Sequence, residues 1–236
     1  MKYTLRVLSA LLSYPSEELQ ANVPAIRSAL LEEGLLRGPA LSGVTALLDG
    51  LETGDILELQ GDYSGRFDSS RSLSLHLFEH VHGDSRDRGQ AMIDLGEQYL
   101  KHGFMMQVEE LPDFIPLFLE FLSCLPPAQA RDWLREPGHV FVALAQRLED
   151  RQSPHAAVFH AITSLTGRER PAAAVSDLVT LEDPQTHAEL DKAWEDAPIN
   201  FAAPPQDVGG PTGLITRLRA AQRRAATDGR KGARHA

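Results

Sequence analysis

Apolar residues recur along this chain at helical spacing. Leu5, Leu8, Leu11 and Leu12 fall at i, i+3, i+6 and i+7, one face of a first helix. Tyr14-Pro15 stops it, because proline pushes the preceding residue out of the α region. Ser16 offers a new N-cap, with Glu17 and Glu18 in the first turn where the helix dipole favours acids. Leu30, Leu31, Leu35 and Leu36 close that region before Gly38-Pro39. Pro39 opens a helix through Leu41, Val44, Leu47, Leu48 and Leu51 that Gly54 ends, and Asp55 caps the next, through Leu57, Leu59, Tyr63 and Phe67. Ser72 is expected to cap a helix carrying Leu73, Leu77 and Val81, broken at His82-Gly83-Asp84. Ser85 is expected to cap a long helix to about His102, and Pro112 to lie near the start of the next. Residues 114–125 are apolar at nine of twelve positions with one charge, Glu120, so that helix belongs in the middle of a core. Pro126-Pro127 ends it, and amphipathic helices follow at about 128–136, 139–151 and 154–165.

No alternating β-branched run, hairpin dipeptide or solenoid-length repeat interrupts this pattern. The expected fold is all-α: a single-domain helical bundle of about 9–11 helices over residues 1–167. After Thr166-Gly167 the texture changes to proline, glycine and alanine, with one short amphipathic patch near 187–195. Residues 168–236 are therefore expected to form a C-terminal extension, partly ordered to about 201 and ending in an extended or disordered basic tail, 217–236.

Composition narrows the function classes. The 236 residues are 42% hydrophobic, enough for a sizeable core. Cys124 is the only cysteine, which excludes an intrachain disulfide and any zinc or iron–sulfur site built from several cysteines of this chain. The opening MKYTLRVLSALLSYPSEE is interrupted by Arg6 and Ser9 and lacks a small-residue cleavage site, and no apolar run approaches the ~18 residues of a membrane span. The expectation is a soluble cytoplasmic protein with no stable membrane insertion. From Arg217 onward seven basic residues meet one acid, Asp228. With −10 for the whole chain and +6 for this tail, residues 1–216 carry −16. Such a body repels nucleic acid and attracts basic partners, while the tail is either a solvated end or a contact for RNA or anionic lipid.

The densest polar cluster spans residues 62–89. His76 and His80 share a helix face at i, i+4, as metal ligands can, but Leu77 follows His76 where a zincin carries its glutamate base. No metal site is expected, and these histidines read as structural or partner-contacting groups. Gly83-Asp84-Ser85-Arg86-Asp87-Arg88-Gly89 lacks the last glycine of a nucleophile elbow and the Gly-Lys-Ser/Thr of a Walker loop. A helix start flanked by Arg86 and Arg88 leaves a nucleotide- or anion-binding alternative; the local reading pairs these arginines with Asp84, Asp87, Asp68 or Glu79. Glu109, Glu110 and Asp113 form an acidic lip beside the most apolar helix, suited to a peptide that is both basic and greasy. Tyr63 and Phe67, four apart, are core residues or anchors at a groove edge. No nucleophile, cofactor loop or positioned electrophile accompanies these acids, so no catalytic residue, no enzyme activity and no cofactor is expected.

Several segments together resemble a known family. They are Leu11-Leu12-Ser13-Tyr14-Pro15; Tyr63-x-x-x-Phe67-Asp68; and the run Ser74-Leu75-His76-Leu77-x-Glu79-His80-x-x-Gly83-x-Ser85-Arg86-x-Arg88-Gly89-x-Ala91-Met92. Glu110-Leu111-Pro112-Asp113-x-x-Pro116-x-x-Leu119-Glu120-Phe121-Leu122 follows, with a weaker match at Ala193-Trp194-Glu195-Asp196-x-Pro198-x-x-Phe201. The pattern is similar to the NarJ-type assembly chaperones of respiratory nitrate reductase, a branch of the TorD/DmsD-like redox-enzyme chaperones. Other branches carry Glu-Pro-x-Asp-His, whereas here Leu111 follows Glu110 and Phe114 follows Asp113, which favours the nitrate reductase branch.

The resemblance implies a TorD-like bundle that binds the N-terminal segment of the apo catalytic (alpha) subunit of nitrate reductase. Such a protein keeps that subunit open for molybdenum cofactor insertion and iron–sulfur maturation, delays its membrane docking, and is not part of the final enzyme. Cofactor-delivery proteins are a second class of partner. The expected partner-binding residues are Tyr63, Phe67, Asp68, His76, Glu79, His80, Ser85, Arg86, Arg88, Met92, Glu109, Glu110, Leu111, Pro112 and Asp113. If the Tyr63 and Phe67 rings are exposed, truncating either should weaken peptide binding more than Glu109→Ala, because apolar contact outweighs exposed ion pairs.

Overall fold

The computed structural model describes residues 1–83, 85–106 and 110–167, with Leu178 and Leu181. Among them the fold is all-α, as the periodicity predicts. The helices are α1 (Lys2–Leu11), α2 (Glu17–Ala21), α3 (Val23–Glu33), α4 (Gly38–Thr53), α5 (Ile56–Tyr63), α6 (Leu77–His82), α7 (Asp87–Lys101), α8 (Ile115–Ser123), α9 (Pro127–Arg135), α10 (Gly138–Asp150) and α11 (Ala156–Leu165). A π turn over Ser64–Asp68 and a 3₁₀ turn over Arg71–Leu73 join α5 to α6. The only β feature among the described residues is an isolated antiparallel bridge between His76 and Phe114.

α8 is the centre, as its composition requires: every residue from Ile115 to Ser123 is buried except Glu120. α1 packs along it, α11 lies against α10 and α4, and α9 closes one end. Beside α8, the ring of Phe121 sits 4.5 Å from Tyr99 and 5.3 Å from Trp133. Gly43 permits the close meeting of α4 and α11, since a Cβ there would lie 2.8 Å from the Ala157 Cβ.

Ser16 and Asp55 cap as predicted: the Ser16 hydroxyl accepts the Leu19 N–H, and the Asp55 carboxylate accepts those of Leu57 and Glu58. Other boundaries differ. The region that Ser16 opens holds two helices parted at Asn22, with Pro24 in the first turn of α3. Ser72 caps nothing; its hydroxyl accepts from Arg151 and its carbonyl from Arg147, so the chain stays in a 3₁₀ turn and α6 begins only at Leu77. Ser85 is exposed, and α7 starts at Asp87 with no side-chain cap. Pro112 lies in a turn whose carbonyl accepts the Tyr99 hydroxyl, and α8 starts at Ile115 with Pro116 in its first turn. The expected C-terminal extension and basic tail lie outside the described residues, except Leu181 and Leu178, the latter packed against the core.

Candidate functional site

The predicted site residues fall into two separate groups. The first is held by Asp113. Main-chain bonds from Leu77 N–H to the Asp113 carbonyl (3.0 Å) and from Ile115 N–H to the Leu75 carbonyl (2.8 Å) pin the 110–115 segment across the start of α6. This turns the Asp113 side chain inward, with no exposed surface. Its carboxylate accepts the Phe78 N–H at 3.2 Å and His76 Nδ1 at 3.1 Å, and lies 3.8 Å from an Arg88 Nη2 that Glu79 holds at 3.0 Å. Asp113 is therefore a buried hub and not part of an acidic lip. Of the other expected lip residues, Glu110 is exposed and Glu109 lies outside the described residues.

His80 is also internal. Its Nε2–H donates to the Ser74 carbonyl at 2.8 Å, leaving Nδ1 to accept from Arg147 at 3.3 Å. Burial pushes its pKa down to about 4, and the Arg147 charge adds to that. A neutral histidine fixed on both nitrogens is a strut, and no group of three His, Cys, Asp or Glu among the described residues is placed to hold a metal. Arg88 is committed to Glu79 and Asp113, which removes one of the two cations the anion-binding alternative needs. Ser85 and Arg86 remain exposed at the start of α7, Met92 and Pro112 are half-buried, and Leu111 is exposed.

The second group is an aromatic seam. Tyr63 and Phe67 are 5% and 6% exposed, which corrects the expectation of solvent-facing anchors. The Tyr63 hydroxyl donates to the Leu12 carbonyl at 2.9 Å, and its ring meets Tyr14 edge-on at 5.5 Å and Phe67 at 4.9 Å. Phe67 in turn meets His155 at 5.2 Å. The cause is the π turn, which closes with Ser69 N–H on the Ser64 carbonyl and rolls Phe67 inward while Asp68 stays outside. The same turn aims Arg66 at His155 Nδ1, 3.3 Å away. Burial and that guanidinium hold the His155 pKa near 4.

Beside this seam opens a cleft of about 160 Å³. Its apolar walls are Ala10 and Leu11 of α1, Pro15, Leu19 of α2, Ala46, Leu47, Gly50 and Leu51 of α4, and Leu59 of α5; Ser13, Asp62, Arg66, Pro154 and His155 complete it. Two glutamines fix the frame. Gln20 Nε2 donates to the carbonyls of Leu51 (2.9 Å) and Gly54 (2.8 Å), and Gln60 Nε2 to that of Pro15 (2.8 Å). Asp62 is the one acid of the cleft wall, beside Arg66; Glu17, Glu18, Asp49, Glu52, Asp55 and Glu58 are exposed on or capping α2, α4 and α5 but outside the wall. Arg27 neutralises part of this charge, bonding Asp49 at 2.6 Å and Glu52 at 3.1 Å.

Sequence reasoning did not place the cleft, because its leucines read as ordinary core. One available signal was Gly50, a helix-interior glycine without a turn to explain it.

Among its described residues the chain is an all-helical body with a largely apolar cleft and no group of three His, Cys, Asp or Glu placed to hold a metal. Its fold matches a crystal structure of a candidate redox enzyme maturation protein from Archaeoglobus fulgidus at a TM-score of 0.52 and 25% identity, covering 71% of this chain and 94% of that one. The chain belongs to the nitrate reductase delta subunit family, whose model matches residues 16–161. It is 37% identical over 203 residues to the nitrate reductase molybdenum cofactor assembly chaperone NarJ of Escherichia coli K12, covering 84% of this chain and 85% of the relative. It is also 37% identical over 199 residues to that organism's NarW, named a probable chaperone of the same kind. No helix among the described residues is long and apolar enough to cross a membrane.

Proposed function

We propose that this chain is an assembly chaperone for the molybdenum-containing catalytic subunit of a nitrate reductase, acting in the cytoplasm without turnover. In this reading it binds the N-terminal segment of the apo subunit, keeps it open for molybdenum cofactor insertion and iron–sulfur maturation, and releases it to the membrane only when loaded. The relatives carry the chaperone role, and the observation that carries the binding mode is the leucine-walled cleft, with Asp62 in its wall and further exposed acids on the helices that line it.

That combination fits a short amphipathic basic segment. Its apolar face would bury against Leu11, Leu47, Leu51 and Leu59, contributing roughly 25 cal/mol per Å² before ordering costs. The acids would steer approach and set orientation, each exposed pair adding only about 0–1 kcal/mol. Tyr63 and Phe67 support the cleft from behind instead of touching the peptide. The polar hub at Asp113 holds α6, α7 and the start of α8 in register, and the exposed residues around it, Glu110, Leu111, Ser85 and Arg86, offer a second contact face on the partner.

Affinity capture of the chain from nitrate-grown cells tests the reading. The catalytic polypeptide should co-purify largely without molybdenum. Recovery of only the mature, cofactor-loaded enzyme, or of no subunit of it, would contradict the reading.

A further inference from the structure

Between residues 15 and 66 nine acids meet three arginines; Asp62 and Arg66 lie in the cleft wall, and Glu17, Glu18, Asp55 and Glu58 are exposed on or beside the helices that line it. The chain itself carries a segment of matching chemistry. Residues 213–226, GLITRLRAAQRRAA, hold four arginines and no acid. Leu214, Ile215, Leu218, Ala221 and Ala225 recur there at i, i+1, i+4, i+7 and i+11, the spacing of one helical face, with Arg219, Arg223 and Arg224 off it. This is the same basic, amphipathic pattern that the cleft suits in a client peptide.

The connection is long enough. From Gly167, the last residue of the described bundle, 45 residues lead to Gly213, and at ~3.3 Å per residue they span far more than the body's diameter. A tethered segment also competes at an effective concentration that a client in solution must exceed.

We infer that residues 213–226 occupy the cleft of their own chain and compete with the client segment for it. The inference rests on the proposed function for the identity of the client, but not for the docking itself. Leu214 and Leu218 lie against Leu47, Leu51 and Leu59, while the arginines face Glu58, Asp62 and the acids of α2. An incoming client displaces the tail, so weak basic peptides are refused and a client with a better apolar face is accepted.

Hydrogen exchange read by mass spectrometry on the full chain tests this. Amides of α2, the end of α4 and α5 should exchange at least threefold slower in the native chain than in full-length Leu214→Asp/Leu218→Asp. A synthetic 213–226 peptide should restore protection to that variant, and 0.5 M salt should weaken it. Gly50→Leu, which fills the cleft, should exchange like the tail variant with or without peptide. Equal exchange in native chain and tail variant overturns the inference, as does protection that grows with protein concentration, which would put the tail in a second copy. Loss of binding to anionic vesicles or RNA in the tail variant, with exchange unchanged, overturns it in favour of those occupants.

Capture of the catalytic subunit separates this inference from the proposed function. Tail docking predicts that Leu214→Asp/Leu218→Asp captures more of it, severalfold. If exchange is unchanged but Gly50→Leu loses the client, the self-docking fails and the chaperone reading stands. If exchange responds but Gly50→Leu keeps the client, self-docking stands and the client does not use this cleft.

Discussion

Asp113 shows how one side chain can carry a motif's weight without being a contact. Its carboxylate and carbonyl together take bonds from Leu77, Phe78 and His76. Asp113→Ala leaves the Phe78 N–H buried and unpaired, and should cost about 2–3 kcal/mol, read as a lower urea midpoint at unchanged slope. Acid should destabilise the body through its histidines. The unfolded chain protonates His80 near 6.5, whereas the folded site resists until about 4. Stability is therefore fully present above pH 6.5 and falls as pH drops through that interval, by up to ~3 kcal/mol for this imidazole. His155 acts in the same direction over the same window. Urea titrations at pH 7 and pH 5 should show the loss, and His80→Gln, which keeps a donor for the Ser74 carbonyl, should flatten part of it.

Among the elements, α4 carries three glycines, of which Gly43 and Gly50 have opposite roles and make opposite predictions. At Gly43 a side chain collides with Ala157, so Gly43→Val should push α4 from α11 and lower stability by about 1–3 kcal/mol in thermal or urea unfolding. At Gly50 an added Cβ meets nothing within 4 Å, so Gly50→Leu should fold as well as the native chain or better, gaining helix propensity of up to about 1 kcal/mol. The helices themselves were legible, because leucine spacing, Ser16, Asp55 and the prolines act locally. The Ser72 cap failed because Arg147 and Arg151, far along the chain, bond its carbonyl and hydroxyl, and periodicity carries no such information; α7 starts one residue later than a Ser85 cap implies, and Pro112 does lie near the start of α8. Tyr63 and Phe67 were legible as a pair that is either core or groove edge, and the π turn that sets their direction decides for the core. The cleft was not legible at all, since it arises where α1, α2, α4 and α5 fail to close over leucines that each helix presents as core.

For the whole molecule, the charge pattern matters more than any one pair. A bundle that carries −10 over residues 1–167, with exposed acids on the helices that line the cleft, should speed encounter with a basic client and leave apolar contact to decide residence. Raising salt from 50 to 500 mM should lower the association rate severalfold while changing dissociation little, measurable by stopped-flow with a labelled client segment. Phe67→Ala, by contrast, should reduce binding only in step with its loss of folded protein, because the ring is structural. The central claim is that the cleft between α1, α2, α4 and α5 receives the client. Calorimetric titration of the N-terminal segment of the apo catalytic subunit into native and Gly50→Leu protein tests it most directly. The account predicts an affinity at least tenfold weaker in Gly50→Leu at an equal or higher melting temperature. Undiminished affinity in that well-folded variant would contradict it.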